Sequence, residues 1–304
     1  MSKMKELDIK TFCISLAVFS IISSETNYMK SMAMKLFDAH CHLQDQRIVD
    51  KAPQLIATAN GAGVVYIAVN GITEKDWHLV KEMSDEYCSV IPNFGLHPWF
   101  VEGKSPSWFS TLKELFEANP SAAVGEIGLD KSPLAKGVDF SDQVEVFKKQ
   151  LQLAKEIKRP ASVHCLDAFP ELLRIMKDIG PFPSGVILHS FQGSPEVVPE
   201  LTKLGSYFSF SGHLMPLEED EAKKIVKAVP LDRILLETDS PDALPKNPIF
   251  FVPGNATLNQ PANVHSVLIY VASLLEMSKE ELAHISYKNA VRIFSFEGSK
   301  IPLE

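Results

Sequence analysis

The sequence predicts an α/β protein that folds as a (β/α)8 TIM barrel. Eight short apolar runs recur between residues 35 and 298, and helical patterns separate them. Strands that alternate with helices indicate a parallel sheet, and eight such units in about 265 residues fit a closed barrel. The rival architecture, an open doubly wound sheet, usually carries a glycine-rich phosphate turn after its first strand, and this sequence has none there.

The predicted strands start roughly 20–40 residues apart, a spacing that suits one strand, one helix and two loops per unit. They cover residues 35–40, 64–70, 89–95, 122–128, 160–165, 185–190, 206–212 and 233–240. Two helices have clear ends. One takes Ser141 as its N-cap and stops before Pro160. The last helix begins with a capping box formed by Ser278 and Glu281.

We expect one barrel domain over residues 35–298, because no linker-like or low-complexity stretch interrupts it. Residues 299–304 are predicted to be a C-terminal tail, and residues 1–34 an extension outside the fold. The extension contains an apolar run, residues 11–22, that has signal-peptide length but is short for a bilayer span. It is interpreted either as a weak targeting segment or as the product of an upstream start.

The composition is that of a globular protein, with 45% hydrophobic and 22% charged residues. The net charge of −8 argues against a broad basic surface for tight, non-specific nucleic-acid binding. A phosphate substrate remains compatible with that charge, since bound divalent cations supply local positive charge. Four cysteines without a CxxC pair predict a reducing compartment. We expect this compartment to be the cytoplasm or, alternatively, the nucleus. We also expect no stable membrane association.

Histidines and carboxylates stand at the C-terminal ends of several predicted strands. They are His40, His42, Glu126, His164, His189 and Asp239. In a barrel these ends converge on one mouth. Imidazoles and carboxylates are ligands of Zn, Mn and Mg ions, and one carboxylate can bridge two of them. The set therefore predicts two divalent metal ions per chain (Mg, Mn or Zn) and hydrolysis by activated water.

The competing interpretation is that these side chains are structural, which is the common role of a single histidine at a strand end. Glu126 and Asp239, however, follow apolar runs, and a carboxylate in such surroundings should be paired or metal-bound. In the first strand, alternation of the faces predicts that Asp38, His40 and His42 point to one side.

Other residues near the predicted mouth are candidates for substrate contacts. His97 is expected to hydrogen-bond a substrate phosphate. The rings of Trp99 and Phe100 are expected either to stack on a base or to pack within the loop. Asp130 could orient a metal ligand. His213 could reach the substrate from the loop after the seventh strand, although a surface position is the simpler interpretation.

Nine segments between residues 35 and 296 carry a family resemblance. They read FDAHCHL, GLHPW, VGEIGLD, RPASVHCLDA, ILHSFQGS, YFSFSG, LLETDSP, NQPANV and SYKNAVRIF. In these motifs and in their order, the sequence resembles the TatD-type metal-dependent hydrolases of the amidohydrolase-like superfamily. The resemblance implies a (β/α)8 barrel with a divalent metal centre. It also implies hydrolysis of phosphodiester bonds in DNA, often as a 3′–5′ exonuclease.

The resemblance also implies roles for the candidate residues. One metal would be held by His40, His42, Glu126 and Asp239, and the other by Glu126, His164 and His189. Asp239 would in addition be the catalytic base that takes a proton from the attacking water. These roles match the ligand types found at the predicted strand ends.

The sequence departs from the family pattern near the expected substrate. Leu166 stands where an arginine is usual, and Leu258 and Gln260 stand where an arginine and a glutamate are common. Two cationic contacts to a phosphate-bearing substrate are thereby missing. An alternative function is hydrolysis of a carboxylic ester or amide, including the ester of an aminoacyl-tRNA. A third hypothesis is a catalytically idle scaffold that has kept the fold.

Overall fold

Eight parallel strands pair in sequence order, from β1 to β8, in the computed structural model, which describes residues 34–303. The strands are β1 Leu36–Cys41, β2 Val64–Asn70, β3 Val90–Phe94, β4 Ala123–Asp130, β5 Ala161–Leu166, β6 Val186–Leu188, β7 Ser206–Phe210 and β8 Ile234–Leu236. This arrangement confirms the predicted barrel. The predicted extension over residues 1–34 lies, apart from Met34, outside the described residues.

The described part of the chain contains nine α-helices, which alternate with the strands and continue after β8. They are α1 Ala52–Gly61, α2 Trp77–Glu86, α3 Trp108–Ala118, α4 Phe140–Glu156, α5 Phe169–Ile179, α6 Val198–Lys203, α7 Glu219–Ala228, α8 Val264–Leu275 and α9 Lys279–Phe294. Within residues 34–303, no helix combines the length and the apolar character that a membrane crossing requires.

The first and last strands meet along a seam at the mouth of the barrel. Backbone hydrogen bonds run from Asp239 N to His40 O (2.9 Å) and from His42 N to Ser240 O (2.7 Å). Below them, the Asp38 carboxylate accepts hydrogen bonds from the backbone N–H (2.8 Å) and the hydroxyl (2.6 Å) of Thr238. Residues that follow β8 therefore close the sheet onto β1.

The predicted alternation of β1 is wrong at Asp38. The pairing of β1 with β2 shifts register between Asp38 and Cys41. Asp38 turns to Thr238 in the seam, whereas Ala39 joins the apolar core together with Phe37. A bulge of this kind adds a residue to one strand and re-aims the side chains after it.

One apolar cluster of the core fills the end of the barrel opposite the mouth. It is built from residues near the starts of the strands and is covered by α9, where Phe294 stacks on Phe37 at 5.0 Å between ring centroids. Ile301, only 3% exposed, belongs to the same cluster, so the chain still contacts the barrel beyond residue 298. The proposed division into 1–34, 35–298 and 299–304 stays a prediction.

The helix ends show where local sequence signals hold. Ser278 caps α9 by accepting a hydrogen bond from Glu281 N at 3.2 Å, as predicted. Helix α4 instead takes Asp139 as its N-cap, because the Asp139 carboxylate accepts from Ser141 N at 2.7 Å. The prediction that Ser141 caps this helix is therefore wrong by two residues.

Helix α4 also fixes the loops at the mouth through two buried glutamines. Gln150 accepts a hydrogen bond from Leu96 N at 2.7 Å and donates to Leu96 O at 3.0 Å. Gln143 accepts from Asp130 N at 2.9 Å, at the end of β4. Both glutamines hydrogen-bond backbone groups that would otherwise be buried without partners. They hold in place the segments that carry His97 and Asp130.

Candidate functional site

The structure brings all six predicted metal ligands together at the mouth of the barrel. His40 is in β1 and His42 follows it, Glu126 is in β4, His164 is in β5, and His189 and Asp239 follow β6 and β8. In each of three groups, the ligand atoms lie within 4.8 Å of one another, and the first two groups share His40. These groups are His40, His42 and Asp239; His40, His189 and Glu237; and His97, Glu126 and His164.

Two of the six residues lie inside their strands and not at the predicted ends. Glu126 is the fourth residue of β4, which continues to Asp130, and His164 is the fourth residue of β5, which continues to Leu166. The two strands stay paired to their last residues, Asp130 and Leu166. They extend beyond the site as one wall of the mouth.

Glycine allows β4 and β5 to approach each other beside the site. Gly128 has φ +155°, and a Cβ atom there would lie 2.0 Å from the carbonyl oxygen of His164. A larger residue would push apart the strands that carry Glu126 and His164.

The carboxylate of Glu126 lies at the centre of the site, and its two oxygens face different imidazoles. Oε2 is 3.5 Å from His40 Nε2 and 3.3 Å from His42 Nε2. Oε1 is 3.3 Å from His164 Nδ1 and 2.8 Å from His189 Nε2. The side chain is almost fully buried. One carboxylate therefore joins two groups of imidazoles, as a bridging ligand would.

In the pair His40 and His42, the outer ring nitrogens, which point away from Glu126, contact other protein atoms. His42 Nδ1 lies 2.8 Å from the carbonyl oxygen of Asn70, and because a carbonyl only accepts, this nitrogen carries the proton. His40 Nδ1 is 2.8 Å from Ser162 Oγ. The Nε2 atoms of both rings face the Oδ1 atom of Asp239, at 3.8 Å from His40 and 3.6 Å from His42.

His164 and His189, on the other side of Glu126, also have carboxylates beside their outer ring nitrogens, but only His164 is hydrogen-bonded there. His164 Nε2 lies 3.1 Å from Asp130 Oδ2, so it donates to that carboxylate and leaves Nδ1 directed at Glu126. His189 Nδ1 is 3.5 Å from Glu237 Oε1, and Nε2 faces Glu126. Hydrogen bonds to the outer nitrogen fix the tautomer and the direction of a metal-binding histidine.

His97 differs from the other four histidines. Its Nδ1 accepts the backbone N–H of Trp99 at 3.2 Å, so in the neutral ring the proton sits on Nε2. Nε2 is 3.2 Å from Glu126 Oε1. Burial is the main cause that lowers the pKa of His97, to about 4, and the ring is neutral at pH 7. His97 is therefore a hydrogen-bond donor at the site, and its Nε2 has no free lone pair for a metal.

Trp99 lies at the rim, next to His97. Its indole Nε1 donates to Asp130 Oδ2 at 2.6 Å, and the residue is 39% exposed. Asp130 thus contacts both Trp99 and His164, which agrees with the prediction that it orients a ligand. Burial works against the ionised form of Asp130, but hydrogen bonds from His164, Ser132 and Trp99 hold its pKa below the usual range.

Glu237 is a residue of the site that the sequence pattern did not predict. Its side chain is fully buried, and Oε1 accepts hydrogen bonds from Ser190 N at 2.6 Å and Ser190 Oγ at 2.9 Å. Glu237 precedes Asp239 by two residues, so strand alternation could have placed both on one face. It lies beside His189 as Asp130 lies beside His164, at the longer distance of 3.5 Å.

His213 also contacts the site, although a surface position is the simpler interpretation of its sequence. The residue is 45% exposed at its side chain, yet Nε2 lies 3.3 Å from Asp239 Oδ2. Hydrogen bonding to Asp239 is the main cause that raises the pKa of His213, against the effect of burial.

The electrostatics of the site fit a divalent cation. Burial alone would raise the pKa of Glu126, but the surrounding imidazoles hold it well below the usual range. Burial also opposes the proton on His42, yet hydrogen bonding to Glu126 and the charges of Glu126 and Asp239 raise its pKa to about 9. Ionised carboxylates here attract positive charge, which protons on imidazoles supply when no cation is bound.

Comparisons with known proteins identify related hydrolases. The family model for TatD related DNases matches residues 37–295. The chain is 35% identical over 263 residues to an uncharacterized metal-dependent hydrolase of Bacillus subtilis, YabD, covering 85% of this chain and 98% of that protein. It is 30% identical over 279 residues to human deoxyribonuclease TATDN3, covering 88% of this chain and 97% of that protein.

The fold is shared with solved structures of the same kind. The structure of YjjV, a TatD homologue of Escherichia coli, superposes with a TM-score of 0.75 at 25% sequence identity. The superposition covers 86% of this chain and 98% of that one. A TatD family hydrolase of Entamoeba histolytica superposes with the same TM-score, 0.75, at 20% identity, over 86% of this chain and 98% of that one.

Proposed function

The chain belongs to the family of TatD-related DNases and is a metal-dependent hydrolase, and on that premise we propose that it hydrolyses phosphodiester bonds in DNA with a centre of two divalent cations. We further propose that it acts as a 3′–5′ exonuclease. The polarity comes from the family resemblance of the motifs. The cytoplasm or the nucleus stays the predicted compartment.

The division of the Glu126 carboxylate between two groups of imidazoles carries this proposal. Oε2 with His40, His42 and Asp239 would hold one cation, and Oε1 with His164 and His189 the other. The cation could be Mg, Mn or Zn. Divalent cations in such a centre lower the pKa of water and offset the charge that develops on a phosphoryl group.

The remaining roles fall to side chains around this centre. Burial works against the ionised form of Asp239, but the hydrogen bond from His213 and the nearby imidazoles of His189 and His40 lower its pKa. The carboxylate is therefore ionised and can accept the proton of the attacking water. His97 carries its proton on Nε2 and is placed to donate a hydrogen bond to a phosphate oxygen. Trp99 presents an exposed ring face at the rim, on which a base can stack.

The depth of the site supports action at a strand end. His40 and Glu126 are almost fully buried, and β4 and β5 extend past them toward the rim. A single strand can enter such a mouth with its end first, whereas a phosphodiester within a continuous duplex is held farther from the buried carboxylate.

Hydrolysis of a carboxylic ester or amide is the second candidate function. It is supported by the small number of unpaired cationic side chains that the described residues place near the mouth. Leu166 ends β5 beside the site where the family usually has an arginine. Arg47 hydrogen-bonds the carboxylates of both Asp45 and Asp242. The ammonium of Lys131 pairs with Glu171. Two cations that could bind phosphates are thus paired with protein carboxylates.

A nuclease assay with end-labelled single-stranded DNA tests the proposal. The protein is stripped of metal, supplied with Mg, Mn or Zn, and compared with Glu126→Gln. The matched control is Glu145→Gln, which removes the charge of an exposed glutamate on α4. We expect stepwise, metal-dependent shortening from the 3′ end by the wild type and the control. Loss of the bridging carboxylate should reduce the rate at least about 1,000-fold.

Each other result points elsewhere. Full nuclease activity in Glu126→Gln would contradict the proposed role of this carboxylate. Two bound cations without cleavage of DNA would move the assignment to esters or amides, tested next with an aminoacyl-tRNA. A chain that binds no metal would support the idle scaffold.

A further inference from the structure

The two oxygens of the Asp239 carboxylate face different partners. Oδ1 is directed at the Nε2 atoms of His40 and His42, at 3.8 and 3.6 Å. Oδ2 is directed away from them, and His213 Nε2 lies 3.3 Å from it. The direction of Oδ1 therefore depends on what holds Oδ2.

The backbone that carries His213 is itself fixed. Ser211 Oγ accepts a hydrogen bond from His213 N at 3.3 Å and lies 2.7 Å from Ser190 Oγ, which donates to buried Glu237. The preceding residue, Gly212, packs directly on the loop after β8, since a Cβ atom there would lie 2.0 Å from Ala243 O. His213 thus sits on a short 3-10 turn, held by hydrogen bonds on one side and by close backbone contact on the other.

Asp239 needs such a partner because its backbone is unusual. Its φ is +53°, in the left-handed region, where the side chain leaves the chain in a direction that neither strand nor helix provides. The backbone N–H is held by His40 O, but that bond leaves rotation of the carboxylate open. A donor fixed on the neighbouring loop restricts this rotation.

We propose that His213 is a positioning residue for Asp239, which donates Nε2–H to Oδ2 and thereby keeps Oδ1 directed at the group formed with His40 and His42. The inference rests on the proposed role of Asp239 as a ligand of a divalent cation. His213 acts through the carboxylate and does not contact the cation. Its removal should weaken one cation site and leave the site formed by His164 and His189 unchanged.

The test is calorimetric titration of the full-length, metal-stripped protein with Mn²⁺. His213→Ala removes the donor, and His213→Gln restores an N–H at nearly the position of Nε2. His284→Ala removes an exposed histidine on α9 and is the matched control. We expect one of two Mn²⁺ sites to weaken about 10- to 100-fold in His213→Ala and to stay within about threefold of wild type in His213→Gln. The control should match the wild type.

A second readout separates positioning from substrate binding. With Mn²⁺ held below the dissociation constant of the weakened site in either protein, kcat of His213→Ala on single-stranded DNA should fall about as far as the Mn²⁺ affinity, while KM for DNA changes less than about twofold. Wild-type Mn²⁺ affinity in His213→Ala would overturn the proposal. Equal losses in the Ala and Gln variants would also overturn it, because the restored N–H would then have no effect on the Mn²⁺ site. If the wild-type protein binds Mn²⁺ but does not cleave DNA, the proposed function is wrong. The titration would still decide the role of His213.

Discussion

The affinity of the site for a divalent cation should rise steeply with pH, because His42 must lose a proton before its Nε2 can bind. Its pKa is raised to about 9 by Glu126 and Asp239. At pH 7 only about 1% of a group with that pKa is neutral, so the apparent affinity should be about 100-fold below its limit. The affinity should increase about ninefold from pH 7 to pH 8 and about fivefold from pH 8 to pH 9. The pKa values of His164 and His189 are also raised, which can only steepen this dependence.

Calorimetric titration with Mn²⁺ at pH 6.5, 7.5 and 8.5 measures the effect. Each titration is repeated in two buffers of different ionisation enthalpy, which yields the number of protons released. We expect at least one proton per bound cation at pH 7.5, and about one fewer in His42→Gln. The His284→Ala control should match the wild type. An affinity that stays constant over these two pH units, without proton release, would refute the reasoning.

Two further predictions concern the walls of the site. Gly128→Ala should destabilise the fold by about 2–4 kcal/mol in urea unfolding, because its Cβ would meet His164 O, whereas Gly103→Ala, with open space around it, should change little. Equal midpoints for the two variants would contradict the close approach of β4 and β5. Asp130→Asn should lower Mn²⁺ affinity or kcat about tenfold by disturbing His164, with the exposed Asp178→Asn as the control. Wild-type values in Asp130→Asn would remove Asp130 from the site.

The sequence predicts the barrel well because its strands and helices have clear periodic patterns. It also identifies the residue types of the site, since charged side chains after apolar runs are conspicuous. It does not predict the irregularities of the strands. β1 shifts register between Asp38 and Cys41, and β4 does so between Val124 and Ile127, next to Glu126. Strict alternation therefore fails at the site, where bulges turn the functional side chains.

The contacts that orient the imidazoles are harder still to predict. The carbonyl of Asn70 directs His42, and the hydroxyl of Ser162 lies beside His40. Asn70 comes from β2, beside β1, and Ser162 from β5, which is not paired with β1. Both are far from the histidines in sequence, and a hydroxyl or a main-chain carbonyl carries no distinctive local pattern. Glu237 could have been identified from its two-residue spacing to Asp239. The contact of His213 depends on the close approach of two loops, which only the folded chain shows.

The seam between β1 and β8 determines when, during synthesis of the chain, the candidate site can be completed. His40 and His42 leave the ribosome early, whereas Asp239, which completes their group, is made about 200 residues later. The same backbone hydrogen bonds that bring Asp239 to these histidines also close the barrel. A nascent chain therefore has no complete site before its last strand is in place. On the proposed function, hydrolytic capacity begins only with closure of the whole domain, and a chain that stops before β8 lacks Asp239.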